Sequence, residues 1–409
     1  LFRLWAFGSR FRHGEEGIYE YLGLLMSNPS GQTVLVLGGG IGGVVTANRL
    51  RKHLGRRHRI VLVNRETDFS FAASYLWVMT GSRRPDQVTR PLKRLERRGI
   101  EVVIGNVERI DPATRTITIS GQNFYADHLV VSLGADWATE RVNGLAEHGH
   151  TFATLSGAQR LRAELGRIES GQITVITAAP LYKCPAAPYE AALLIDAGLR
   201  SRGVRDRVQV SVRSAEPAPM PVAGKNVSAA IERILSSRGI DYRSGIQITA
   251  AEQGRLHFGT EAESTDLLVY MPPIVAPKVV ANSALAQADG WIHADANTLT
   301  TEFDNVYAIG DNTHIVLGIG KPLPRAGVFA HAQAHAVADS IIAKISGKSL
   351  AGRFDGHGGC FIETGNGRAA YGSGDFYANP SPAVVMRTPS RRWHWGKVAF
   401  EFNVMKRWL

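Results

Sequence analysis

The 409-residue chain alternates two kinds of hydrophobic run. Short, almost unbroken apolar and β-branched stretches occur at 33–37, 59–64, 173–177 and 208–212, while 44–50 and 189–199 space their apolar residues with a helical period. Strands that are apolar on both faces and separated by helices belong to parallel sheets covered on both sides, so the pattern predicts an α/β fold. Two such units, starting near residues 33 and 173, predict two Rossmann-like dinucleotide-binding domains. Further strands are expected at 100–104, 114–120, 125–135 and 304–311, with a helix at 325–344. The chain then divides into an N-terminal extension (1–30), a first domain in two parts (31–148 and 286–348), a second domain (149–285) and a small C-terminal segment (349–409). Glu15, Glu16 and Glu20 break up the extension, so it does not read as a secretory signal.

Glycines sharpen the first unit. Gly38, Gly40 and Gly43 stand at G-x-G-x-x-G positions between strand and helix, with Ile41 among them. Such glycines permit the tight turn, the approach of a pyrophosphate and close helix–strand packing, and the free N–H groups of the helix favour the anion. Where a ribose-binding acid is usual, at the end of the second strand, this chain has Asn64. Gly134 closes the strand at 125–135, and Gly310-Asp311 closes the one at 304–311, where the aspartate can hold a sugar-like group. Arg325 opens the following helix, whose positive end is placed to face an electron-rich ring. His331 and His335 lie four apart on that helix, but no third ligand stands at ligand spacing nearby, and no metal site is expected. The aromatic stretch 68–77 lines a flat ring or simply packs in the core.

The equivalent loop of the second unit, 178–188, contains proline, alanine and Cys184 but no glycine. Proline lacks an N–H and alanine blocks close backbone approach, so the second lobe keeps the architecture without a nicotinamide dinucleotide site. The other cysteine, Cys360, follows Gly358 and Gly359. Formal net charge is +11, which favours an anionic partner. The basic stretch 83–98 reads as a helix with a solvated face, and without aromatic interleaving it does not read as a nucleic-acid binder. No apolar run is long enough to cross a bilayer. In the tail, Val398, Phe402, Met405 and Leu409 share a helical face beside Lys397, Lys406 and Arg407; this suits either an anionic membrane surface or packing onto the protein or a second subunit.

The order of glycine fingerprint, second lobe, Gly-Asp strand and C-terminal cysteine segment resembles the FAD-dependent pyridine nucleotide–disulfide oxidoreductase superfamily, with its glutathione reductase-like pair of Rossmann-like domains. Within it, Cys184-Pro185-Ala186-Ala187-Pro188-Tyr189-Glu190, Gly359-Cys360-Phe361-Ile362-Glu363 and Lys321-Pro322-Leu323-Pro324-Arg325 resemble motifs of sulfide:quinone oxidoreductases and the flavocytochrome c sulfide dehydrogenase flavoprotein. The resemblance implies FAD, held noncovalently because the aromatic stretch has no cysteine for attachment. It also implies a Cys184/Cys360 redox pair, forming a disulfide or sulfur bridge beside the flavin, that oxidises sulfide or a persulfide and passes electrons to a quinone. Glu190, one helical turn past Cys184, is the expected proton carrier, its buried carboxyl raised in pKa. A peripheral site on the cytoplasmic side of a membrane follows from this reading. A type II NADH:quinone dehydrogenase and a non-catalytic flavin-binding protein are the alternatives.

Overall fold

The computed structural model describes residues 31–349 and 352–409. The N-terminal extension therefore lies outside the described residues. The first unit runs β1 (Thr33–Leu37), α1 (Ile41–His53), β2 (Arg59–Asn64), β3 (Glu101–Ile104) and β4 (His128–Val131). The second comprises β5 (Gly149–Thr151), α2 (Leu155–Arg167), β6 (Gly171–Thr177), α3 (Ala187–Ser201), β7 (Val208–Ser214), β8 (Asp241–Arg243) and β9 (Leu267–Met271). The chain returns to the first sheet through β10 (Val306–Ala308) and α4 (Gly327–Ile345). It ends in β11 (His357–Gly365), β12 (Arg368–Asp375), β13 (Ala383–Ser390), α5 (Arg391–Asn403) and a π-helical turn, Val404–Trp408.

Both main sheets are parallel, in the orders β3-β2-β1-β4-β10 and β8-β7-β6-β9-β5. In each, the strand before the nucleotide-type turn lies at the centre and the order reverses beside it, which opens a crevice at the strands' carboxyl ends. The apolar runs explain this: Val34, Leu35, Val36 and Leu37 are all buried, as strands covered on both faces require. The architecture is two Rossmann-like units in a glutathione reductase-like arrangement with a C-terminal segment. That segment is a three-stranded antiparallel sheet laid against α3, so close that a Cβ on Gly365 would stand 2.2 Å from the Ala197 Cβ. It carries Cys360 to the second lobe.

Two local expectations change. Residues 83–98 do not form one helix: 3-10 turns at Pro85–Gln87 and Leu92–Arg98 flank a short strand, Thr89–Pro91. Pro85 and Pro91 interrupt the hydrogen-bond ladder there, although Leu92 and Leu95 are fully buried. The tail's apolar face is also redistributed. Met405 and Leu409 are buried with Val404 and Trp408, whereas Phe402 is 63% and Trp395 65% exposed.

The glycine turn separates two roles. Gly38 has φ +101°, and a Cβ there would meet the Ser132 carbonyl at 2.2 Å; one on Gly43 would stand 1.8 Å from the Gly38 carbonyl. Gly40 has an ordinary φ of −78° and open space where a Cβ would project. Gly43→Ala should therefore lower the urea-unfolding free energy by about 1–3 kcal/mol, whereas Gly40→Ala should leave it within about 0.5 kcal/mol of wild type. Equal losses for the two variants would contradict this assignment.

Candidate active site

The loop between β6 and α3 has no close-approach glycine turn and instead folds around Cys184, whose φ is +53°. Its N–H donates to the Arg325 carbonyl at 2.7 Å, and its carbonyl accepts the Ala187 N–H to start α3. Arg325, 5% exposed, donates from Nε to the Asp311 carbonyl at 2.9 Å and stacks 3.8 Å over the Trp291 ring. Burial draws its guanidinium pKa down to about 10. One arginine thus couples the cysteine loop to the end of β10. Neighbouring Lys183 donates to the Ala135 carbonyl and lies 4.4 Å over Trp137, its pKa lowered by burial.

Cys184 and Cys360 line one cavity of about 110 Å³. Its walls are chiefly apolar, with Met220, Phe329, Phe376 and Met386 among them, and Glu216 and Arg325 as charged residues. The glycines before Cys360 permit close contacts with protein rings: a Cβ on Gly358 would lie 2.4 Å from Phe329, and one on Gly359 would lie 2.4 Å from the Tyr371 hydroxyl.

The expected Cys184/Cys360 redox pair is corrected here. Both residues are free thiols, and no disulfide or sulfur bridge joins these positions, which are distant along the chain. The Cys360 Sγ donates to the Phe361 carbonyl at 3.5 Å. The Cys360 sulfur holds the proton on Cys184, whose pKa rises, with burial adding to the effect. Donation from Cys184 conversely draws the Cys360 thiol below its ordinary value despite burial. The result is a polarised pair of thiols rather than a store of two oxidising equivalents.

Behind the thiols is a buried charged group that spacing alone did not show. Glu190 on α3 is 3% exposed and ion-paired to Lys397 on α5. Burial raises the Glu190 carboxyl to about 7, against the opposing pull of Lys397. Burial alone would lower the Lys397 ammonium pKa, but Glu190 and Glu363 outweigh it and the net shift is upward. Lys397 also sits 4.8 Å over Trp77. Glu363 is buried and receives His394 Nδ1 at 3.0 Å. Lys397 was expected on the basic exterior of the tail, and its burial reverses that reading: α5 is anchored through charge. Glu401 does the same one turn on, accepting from Ser74 and pairing with Arg83.

A second buried carboxyl borders the cavity. Glu216 accepts from the Tyr182 hydroxyl and, at 3.3 Å, from Tyr189, and burial raises it to about 7. Glu216 was not singled out in the sequence, and Lys397 was read there only as a base of the tail. Glu216 follows the end of β7, the position where nucleotide folds often carry an acid, and that signal was available.

The fingerprint residues gather at the carboxyl ends of the first sheet. Gly40 begins α1 without a side-chain cap, leaving its N-terminus available to an anion. Since no protein atom lies within 4 Å of a Cβ placed at Gly40, while Gly38 and Gly43 are sterically required, the turn fits a dinucleotide phosphate. Ile41 packs against the start of α4, where a Cβ on Gly327 would meet it at 2.5 Å. The Gly134 N–H donates to Asn312 Oδ1 at 3.2 Å and the Gly310 N–H to Gln333 Oε1 at 2.7 Å, two partners the sequence reading missed. Asn64 is largely committed within the protein: its Oδ1 accepts the Gly39 N–H at 2.7 Å and its Nδ2 donates to the Glu66 carbonyl. Phe69, Phe71 and Trp77 of the aromatic stretch are buried in the core. His331 and His335 meet edge to face, and burial lowers His331 to about 4.

The buried pair has a definite pH signature. A carboxyl raised from its ordinary value to about 7 binds protons more tightly in the folded state. Its contribution is greatest below about pH 4.5 and is lost as pH rises through 7. Glu190→Gln should flatten that part of the stability profile. Lys397→Met should destabilise the protein by about 3 kcal/mol at pH 8, where the buried Glu190 must either stay charged without a partner or take up a proton that the unfolded chain does not hold, and by less at pH 5. Urea unfolding at both pH values tests this; an equal loss at each would contradict it.

Known proteins place this geometry. A family model described as "Pyridine nucleotide-disulphide oxidoreductase" matches residues 32–336. Sulfide-quinone reductase of Aquifex aeolicus is 27% identical over 396 residues, covering 90% of this chain and 89% of the relative. The mitochondrial sulfide:quinone oxidoreductase of Dictyostelium discoideum is 25% identical, covering 81% and 75%. The solved sulfide:quinone oxidoreductase from Aquifex aeolicus superposes with a TM-score of 0.85 at 24% identity, over 92% of this chain and 91% of that one. Family membership implies a capacity for FAD, and the match over residues 32–336 shows that the chain belongs to the pyridine nucleotide-disulphide oxidoreductases.

Proposed function

We propose that the protein is a flavoenzyme that oxidises sulfide, or a related sulfane-sulfur donor, and delivers the electrons to a quinone. The observation that carries this reading is an apolar cavity closed on two free thiols, with a carboxyl of pKa about 7 buried nearby. The names of the relatives from Aquifex aeolicus and Dictyostelium discoideum support the substrate and acceptor. When bound, FAD supplies a two-electron acceptor. The residues that would hold it are Gly38, Gly40, Ile41 and Gly43 at the first turn, Gly134 and Asn64 beside it, and Gly310, Asp311 and Arg325 at the end of β10. Noncovalent attachment follows from the cysteine positions: neither Cys184 nor Cys360 lies in the aromatic stretch.

Removal of two electrons from two hydrosulfides joins them in one hydropersulfide, whose outer atom is sulfane sulfur, and releases one proton. Arg325 offers positive potential to an anion entering the cavity, and the apolar walls exclude water. Glu190 then takes the proton, since a carboxylate with a conjugate-acid pKa near 7 is matched to that transfer at neutral pH. Lys397 holds the carboxylate in place. Reduction of the quinone consumes two electrons and two protons.

No helix among the described residues is long and apolar enough to span a membrane. The exposed Trp395 and Phe402 on α5, beside Arg391, Arg392, Lys406 and Arg407, support peripheral contact with an anionic membrane surface, for which the cytoplasmic side is the orientation proposed. A homo-oligomer that buries the same face is the competing use of these side chains.

Sulfide-dependent reduction of a short-chain quinone provides the test. Glu190→Gln should lower kcat by roughly 10²–10⁴-fold and remove the limb of the pH profile near 7. Full activity in this variant with an unchanged profile would remove Glu190 from proton transfer, and absence of any sulfide-dependent activity in the flavin-loaded wild type would remove the function itself.

A further inference from the structure

Outside the candidate active site, three side chains converge in a way that neither the fold nor the thiol chemistry uses. Asp289, His293 and His314 bring one carboxylate oxygen and two imidazole nitrogens within 4.8 Å of one another. Asp289 Oδ2 lies 3.0 Å from His293 Nε2 and 2.5 Å from His314 Nδ1, and the two rings are 4.7 Å apart at an angle of 49°. We propose that these three residues form a binding site for a borderline divalent cation of the zinc class.

The arrangement is rigid before any ion arrives. Ile292 and Thr313 form a parallel bridge; the Ile292 N–H donates to the Asn312 carbonyl and the His314 N–H to the Ile292 carbonyl. Each histidine therefore sits beside a hydrogen-bonded residue on paired backbones, which fixes where the two side chains start. Asp289 is set by its own turn, in which the Gly290 N–H donates to the Gln287 carbonyl and the Gln287 N–H to the Trp291 carbonyl. Its second oxygen, Oδ1, accepts the Trp291 N–H at 3.1 Å, which orients the carboxylate as an outer hydrogen bond orients a ligand. Preorganised first ligands supported from behind are the requirement for a precise metal site.

Ligand chemistry selects the ion. Two imidazoles and one carboxylate suit zinc and its transition-metal neighbours, and are poor in the oxygen ligands that calcium or magnesium needs. Side-chain exposures of 25–41% leave water access for a fourth position. The present contacts are hydrogen bonds; an imidazole that carries its proton on the other ring nitrogen offers a lone pair to the cation at the same position. An ion here would clip the 289–293 turn to the segment at 312–314. Trp291 lies in that turn and carries Arg325 on its ring, so the clip would abut the support of Cys184.

The test is calorimetric titration of chelator-treated, flavin-loaded protein with zinc chloride at pH 7.5. One ion per chain is expected, with a raised Tm in the loaded protein. His293→Gln and His314→Gln should each weaken binding tenfold or more, whereas His335→Gln and the double variant Cys184→Ser/Cys360→Ser should retain it. X-ray absorption of the zinc-loaded wild type should report two imidazoles and an oxygen ligand, a readout independent of how well any variant folds. Absence of binding, affinity unchanged in the two histidine variants, or sulfur ligands to the ion would each overturn the proposal. None of these outcomes depends on sulfide or quinone turnover.

Discussion

The ion pair between Glu190 and Lys397 is the contact on which the rest of the site depends. It joins α3 of the second lobe to α5 at the far end of the chain, and both partners are almost wholly buried. A lone charge at either position would be expensive, so each residue makes the other tolerable. The C-terminal segment is thereby held against α3, and β11 carries Cys360 to Cys184. Glu363 and His394 extend the same charged contact toward the surface. An electrostatic latch thus holds the C-terminal segment, with Cys360, against the second lobe.

That latch also changes how the two sulfurs are understood. A thiol beside a thiol, with a carboxyl behind one and an arginine across the cavity, is a polarised environment in which protons are shared unequally. Burial pushes Glu190 and Glu216 toward neutral pH from two sides of the same region. Proton affinity is thus set by desolvation, with the short contacts to Lys397 and Tyr182 correcting it. Two carboxyls with pKa near 7 thus border one region.

Much of the fold was legible because its causes are local. Unbroken apolar runs such as 33–37 can only be interior parallel strands, and Gly38 and Gly43 are forced by contacts within ten residues or by the adjacent strand. The cluster at the thiols was only partly legible. Glu190 showed itself by sitting one turn past Cys184, but Lys397 reads in sequence as an ordinary surface base. Only a partner 207 positions away makes its burial possible. The disulfide expectation failed for a related reason: two cysteines in suggestive motifs do not specify a bond, and the structure leaves both as free thiols on one cavity. Asn64 occupied the expected position but had its amide engaged by the turn itself, which no spacing rule reveals. Asp289, His293 and His314 escaped notice because the third member comes from a separate strand segment.

Anaerobic addition of sulfide to the flavin-loaded protein, followed by flavin absorbance, tests the central claim most directly. Stoichiometric sulfide should bleach the flavin band rapidly, a short-chain quinone should restore it, and NADH in place of sulfide should leave it unchanged. Bleaching by NADH with no response to sulfide would contradict the account and make the protein a nicotinamide-dependent quinone reductase.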